Sequence, residues 1–142
     1  MISKKWRGSY RYDDALARKV IGFDHTNFEI EFIFSDDIHF TGTVKDDRST
    51  GGTPGTGEVS GTVIGDEVRF VKKMPVLTVF INASYKTDEG RKHPNIYYVG
   101  SLSADSKSMS GKWKLRFGVG FWGIWPTIYL PTTGTWSASS QD

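Results

Sequence analysis

The residues that could carry out catalysis are few and do not form a known catalytic motif. Residues 118–123, Gly-Val-Gly-Phe-Trp-Gly, match the glycine spacing of a dinucleotide-binding turn. That turn needs a following helix whose amides bind the pyrophosphate, whereas Trp125-Pro126 and a strand-like segment follow here. The chain also lacks a Gly-x-Ser-x-Gly elbow and a phosphate loop ending in Gly-Lys-Ser/Thr. We therefore predict that this protein is not an enzyme.

Signals for metal binding are equally weak. His25, His39 and His93 lie in or beside different loops without the paired spacing of zinc ligands, and the chain has no cysteine. A single histidine could ligate haem, although the sequence does not select which one. The acidic pairs at 36–37 and 46–47 fit solvated loop carboxylates better than a cation site. We predict no metal and no cofactor.

A set of aromatic residues is more informative, because its members share the inward phase of alternating strands. The set comprises Tyr10, Tyr12, Phe40, Phe70, Tyr98, Trp113 and Trp136. These rings either fill a narrow core or line a ligand pocket, where tyrosine hydroxyls and a tryptophan N–H would find partners. Lys72 shares this phase, so it either faces an anionic ligand at the pocket mouth or extends to water. We predict that all eight residues contact a ligand.

A second aromatic group lies at 121–129, where glycine and proline interrupt the alternation. Its large residues are Phe121, Trp122, Ile124, Trp125 and Tyr129. If exposed, they would form a patch large enough to mark an interface. The alternative is a flap that closes one end of the fold. We favour an interface within a homo-oligomer or with a partner.

Charge and length exclude several classes of protein. Lys plus Arg is 18 and Asp plus Glu is 16, a net charge of +2 that gives no indication of nucleic-acid or membrane binding. Lys112 and Lys114 alternate with Trp113 and Leu115, as on the outer face of a barrel. The 142 residues fit one domain, 1–142. With no apolar leader or spanning segment in the sequence, we expect a cytoplasmic protein.

Period-two alternation runs through almost the whole chain and indicates strands. It predicts eight strands at 6–12, 28–34, 40–44, 59–63, 68–72, 76–85, 96–102 and 109–117, with one or two more within 128–139. A single helical turn is predicted over 13–19, and residues 46–57 form a glycine-rich loop. Short links between so many strands predict an all-β, antiparallel, up-and-down closed barrel.

Five strand segments follow one another in a characteristic order along the chain, and three of them have a glycine at the centre. They are 40–44 Phe-Thr-Gly-Thr-Val, 59–63 Val-Ser-Gly-Thr-Val, 68–72 Val-Arg-Phe-Val-Lys, 98–102 Tyr-Val-Gly-Ser-Leu and 111–115 Gly-Lys-Trp-Lys-Leu. A glycine in the middle of a strand allows the strand to coil or accepts a neighbouring ring. Over 6–139, this order resembles the calycin barrels (lipocalins, fatty-acid-binding proteins and avidins), and most closely the avidin/streptavidin fold.

The resemblance implies an eight-stranded barrel with a pocket at one open end, and often oligomers. It does not imply biotin binding, because Gly8 and Gly134 stand where avidins carry polar groups for the ureido ring. Phe70 and Tyr98 stand in place of two avidin tryptophans, and Trp113 matches a third. Our first hypothesis is a binder of a small, partly apolar ligand. The alternative is an interaction module with a solid core and an interface at 121–129.

Overall fold

A computed structural model describes residues 4–75, 77–81, 84–88, 95–115, 118–122, 125–129 and 132–141, with side chains in 4–75, 95–115 and 132–141. One α-helix, α1 (Ala15–Ile21), and one 3-10 helix (Arg48–Thr50) occur among them. The strands are β1 (Lys5–Tyr12), β2 (Thr26–Phe34), β3 (His39–Asp46), β4 (Thr56–Ile64), β5 (Glu67–Lys73), β6 (Leu77–Ile81), β7 (Ser84–Asp88), β8 (Ile96–Leu102), β9 (Ser108–Leu115), β10 (Gly118–Trp122), β11 (Trp125–Tyr129) and β12 (Thr132–Ser140).

Eight of the strands close into a barrel in which every neighbouring pair is antiparallel. The order around the barrel follows the chain: β1, β2, β3, β4, β5, β8, β9 and β12, with β12 pairing back onto β1. Strands β6 and β7 form a separate hairpin, and so do β10 and β11. The predicted all-β, up-and-down closed barrel is confirmed.

The two ends of the barrel differ in the length of their connections. Short turns at 35–38, 65–66 and 103–107 lie at one end together with both termini of the barrel, and we call this the turn end. Connections 13–25, 47–55, 74–95 and 116–131 leave from the other, the long-connection end. The two ends also differ in their buried side chains, because the charged residues buried in the barrel lie near the long-connection end.

Aromatic rings fill the barrel from its middle toward the turn end. Phe32 and Phe40 have ring centroids 4.2 Å apart, and Phe70 lies 6.2 Å from Phe40 and 5.5 Å from Trp136. Strand glycines make room for the largest rings, since a β-carbon at position 100 would overlap the Trp136 indole. The predicted role of these glycines in accepting neighbouring rings is confirmed there.

Three predicted elements differ in the structure. The strand predicted at 76–85 is instead the β6–β7 hairpin, since Ile81 pairs with Ser84; alternation alone does not detect a two-residue reversal without glycine. The helix predicted over 13–19 begins at Ala15, because the carboxylate of Asp14 accepts a hydrogen bond from the Leu16 amide as its N-cap. Residues 128–129 belong to β11, which pairs with β10 and not with a barrel strand.

No helix in the described ranges is long and apolar enough to cross a bilayer.

Candidate functional site

All eight residues predicted to contact a ligand lie on barrel strands in the inward phase. Tyr12 is half-buried and the other seven are buried: Tyr10, Phe40, Phe70, Lys72, Tyr98, Trp113 and Trp136. Ring contacts connect all of them, because the centroid of Tyr98 lies 4.7 Å from that of Phe70 and 5.6 Å from that of Trp136. Phe40, Phe70 and Trp136 belong to the aromatic packing just described, whereas the other five gather toward the long-connection end.

An ion pair lies inside the barrel near that end. The ammonium of Lys72, on β5, lies 2.6 Å from Oδ1 of Asp46, the last residue of β3. Each side chain is only 2% exposed. Burying two charges costs several kcal/mol each in lost hydration, which good geometry and additional hydrogen bonds must offset. The groups around this pair therefore determine whether the cost of burying it is offset.

Tyrosine rings and hydroxyls provide those surroundings. The Tyr10 hydroxyl donates to Oδ2 of Asp46 at 3.0 Å, so each carboxylate oxygen accepts a separate hydrogen bond. The Lys72 ammonium lies 4.7 Å from the centre of the Tyr10 ring and 5.9 Å from those of Phe28 and Tyr98. Cation–π contacts of this kind strengthen when water is excluded. We call Tyr10, Asp46, Lys72, Tyr98 and Trp113 the polar cluster.

The phenols of the polar cluster stay protonated at neutral pH. Burial raises the pKa of Tyr10 well above its ordinary value, and the nearby Asp46 carboxylate raises it further. Burial and the same carboxylate raise the pKa of Tyr98 in the same direction. Both rings therefore keep their O–H groups and act as neutral hydrogen-bond donors.

Trp113 completes the cluster, and its indole N–H has no acceptor within the described ranges. Its ring meets Tyr10 and Tyr12 edge to face, with centroids 6.0 and 5.0 Å apart. Gly134 lets the indole lie against β12, since a β-carbon there would overlap the Trp113 ring. Although Trp113 is 5% exposed, its Nε1–H has no acceptor among the described residues. Leaving such a donor buried and unpaired costs about 1–3 kcal/mol.

Half-buried side chains lie next to the cluster at the long-connection end. Tyr12, Ile96 and Leu115 pack against the core there. Helix α1 lies beside β1, where Arg18 donates from Nη1 to the carbonyl oxygens of Tyr12 and Asp13 at 2.7 and 3.0 Å. Tyr12, Ile96 and Leu115 are thus less buried than the cluster itself.

Sequence reasoning missed Asp46 and placed Lys72 in the inward phase with two interpretations left open. Asp46 was expected to be a solvated loop carboxylate, yet it continues the inward phase of Phe40, Gly42 and Val44 on β3. That phase is the signal that could have identified it. Lys72 does not extend to water as one interpretation expected, because it is 1% exposed and binds Asp46.

The other candidate ligands for a metal or haem that the structure describes lie on the surface. His25 contacts Asp24 and His39 contacts Asp36, all with exposed side chains. Asp47 caps the 3-10 helix by accepting from the Ser49 amide. His93 lies outside the described residues. Within the described part of the chain, no three His, Cys, Asp or Glu side chains are grouped so as to hold a metal ion.

The residues predicted to form an interface belong to the β10–β11 hairpin and its turn. Trp122 pairs with Trp125 and Phe121 with Pro126 across the hairpin, and Tyr129 pairs with Gly118. Ile124 lies outside the described residues, as do the side chains of the whole hairpin. The interface stays a prediction.

Comparison with known proteins adds no relative from which a function could be transferred. No protein-family model, no curated protein and no solved structure matches this chain. What is established is a closed antiparallel barrel of eight strands with a buried polar cluster near its long-connection end.

Proposed function

We propose that this chain is a calycin-type, streptavidin-like barrel that binds a small, partly apolar ligand at its long-connection end without acting as an enzyme. The observation that carries the proposal is the buried Trp113 Nε1–H, which lacks an acceptor in the described part of the molecule. The Trp113 ring contacts Tyr10, whose hydroxyl donates to the buried ion pair. A ligand that accepts from this donor would recover the free energy lost by leaving it unpaired.

The hydrogen bonds of the cluster support binding better than catalysis. Both oxygens of Asp46 already accept hydrogen bonds, one from Lys72 and one from Tyr10. A carboxylate held in this way is a poor general base, because taking a proton from a substrate would break the ion pair. The aromatic rings around it provide the apolar contact that small-molecule sites need.

Biotin does not fit the proposal. The avidin resemblance relates Gly8 and Gly134 to positions with polar side chains, and both are glycines here whose added β-carbons would overlap neighbouring atoms. The polar groups of this barrel are instead Asp46, Lys72 and the tyrosines. We therefore expect a ligand whose polar groups differ from the ureido ring of biotin.

Native mass spectrometry of the protein purified without denaturation tests the proposal. We expect either a retained small molecule or, from a metabolite library, a compound that binds and quenches tryptophan fluorescence. The variant Trp113→Phe removes the donor that carries the proposal while keeping an aromatic ring, and it should bind that ligand less tightly.

Phe40→Leu is the matched control, because it changes the core away from the polar cluster and should keep the ligand. A barrel that retains nothing and binds no library compound contradicts the proposal. Equal binding by wild type and Trp113→Phe would place the ligand elsewhere.

A further inference from the structure

The balance of donors and acceptors in the polar cluster restricts what a ligand can present to it. The acceptor oxygens of Asp46 are engaged by Lys72 and Tyr10. The Trp113 Nε1–H, by contrast, has no acceptor within the described ranges. An indole N–H can only donate, so its complement on a ligand must be an acceptor.

The charge balance restricts the ligand further. Lys72 and Asp46 neutralise each other at 2.6 Å, and the buried Tyr10 hydroxyl donates to the same carboxylate. An added carboxylate or amidinium would have no free counter-charge in this pair. A buried charge without a partner is strongly unfavourable, whereas a neutral acceptor avoids that cost.

The shape of the surroundings indicates a planar group. Trp113 meets Tyr10 and Tyr12 nearly at right angles, with interplanar angles of 82° and 89°. Tyr10 and Phe28 stack with centroids 6.2 Å apart. Aromatic rings therefore dominate the surroundings of the Trp113 indole, and such surroundings favour a ligand that is itself an aromatic ring.

We propose that the ligand is an uncharged, planar aromatic molecule whose carbonyl oxygen accepts a hydrogen bond from the Trp113 Nε1–H. This inference rests on the proposed function, which requires only that some small ligand binds at the polar cluster. It adds the chemical class: a neutral ketone, amide or similar carbonyl attached to a ring.

Four probes of similar size separate the possible classes: acetophenone (neutral acceptor), benzoate (anion), benzamidine (cation) and ethylbenzene (no acceptor). Each is titrated into ¹⁵N-labelled protein while the indole N–H resonances are followed. We expect acetophenone to move the Trp113 resonance downfield and to bind about tenfold more tightly than ethylbenzene, the contribution of one neutral hydrogen bond. Benzoate and benzamidine should bind more weakly than acetophenone.

Trp136 provides the control within the same spectrum. Its Nε1–H already donates to the carbonyl oxygens of Val99 and Lys112 at 3.3 and 3.2 Å, so its resonance should shift far less. The variant Trp113→Phe should weaken acetophenone about tenfold and leave ethylbenzene unchanged. If this variant does not fold, the comparison of the Trp113 and Trp136 resonances in the wild type still shows whether the probe accepts a hydrogen bond from Trp113.

The outcomes separate this inference from the proposed function. Equal affinities for acetophenone and ethylbenzene, or a preference for a charged probe, refute the ligand class while the barrel remains a binder. The class also fails if no probe moves the Trp113 resonance although a ligand is retained in native mass spectrometry. With neither a shifted resonance nor a retained ligand, both proposals fail.

Discussion

Removing the ammonium of Lys72 should destabilise the barrel more than removing both members of its ion pair. At 2.6 Å and an effective dielectric constant of about 20, opposite charges attract by about 6 kcal/mol before the cost of burial. Lost hydration cancels much of this, at several kcal/mol for each ion. Lys72→Met removes the attraction but leaves Asp46 buried, so we expect the free energy of unfolding to fall by about 3–5 kcal/mol.

The double variant Asp46→Leu/Lys72→Met removes the attraction and both burial costs together. Replacing a buried ion pair by apolar groups of similar volume is often neutral, and can stabilise a protein by about 1–4 kcal/mol. We therefore expect the double variant to unfold at the urea concentration of the wild type or above it. Urea titrations followed by tryptophan fluorescence and circular dichroism measure both variants.

An exposed ion pair of the same barrel supplies the control. Arg7 Nε lies 2.9 Å from Glu29 Oε1 on neighbouring strands, with side chains 67% and 61% exposed. Arg7→Met should leave the urea midpoint almost unchanged, because water solvates the remaining carboxylate. If Lys72→Met and the double variant lose the same free energy, the reasoning is refuted, since the loss then comes from packing and not from an unpaired charge.

Three further predictions concern other parts of the chain. Burial raises the pKa of Tyr10 and Tyr98 in the folded protein. Below about pH 10 these phenols are neutral in both states, so their contribution to the free energy of unfolding is fully present. Above that pH the phenols of the unfolded chain ionise first, so the free energy of unfolding should fall by up to about 2.7 kcal/mol per pH unit. Urea titrations between pH 8 and 11.5 should show this slope, and it should flatten in Tyr10→Phe/Tyr98→Phe. Gly134→Ala places a β-carbon against the Trp113 indole and should cost about 1–3 kcal/mol, so an unchanged urea midpoint would contradict the close approach. If the β10–β11 hairpin joins subunits, the wild type sediments as an oligomer and Trp122→Ser/Trp125→Ser as a 15.9 kDa monomer; identical profiles count against that interface.

Alternation of apolar residues was sufficient to predict the barrel, because a half-buried strand places every second side chain in the core. Phe28, Ile30 and Phe32 follow this rule along β2, with exposed residues between them. The rule reports the face of a side chain but not the point where a chain reverses. It therefore merged β6 and β7 into a single strand.

The polar cluster needed information that alternation does not contain. Asp46 lies on β3 and Lys72 on β5, with β4 between them, so their contact depends on the tilt and stagger of the barrel strands. Phase placed Lys72 inside, whereas Asp46 was assigned to a loop because glycines follow it. Its hydrogen bonds to Lys72 and Tyr10 appear only in three dimensions.

The contrast between the two ends of the barrel is the strongest argument that the polar cluster serves a ligand. Toward the turn end, Phe32, Phe40 and Phe70 fill the interior without a buried charge among them. Apolar side chains alone can therefore fill the interior of a barrel of this diameter. An ion pair adds little stability over such packing, since apolar replacements of buried pairs are often as stable. Near the long-connection end the barrel keeps this ion pair and an indole N–H without an acceptor among the described residues, which is costly for folding alone. That cost becomes understandable if this end of the barrel recognises a polar group on a ligand.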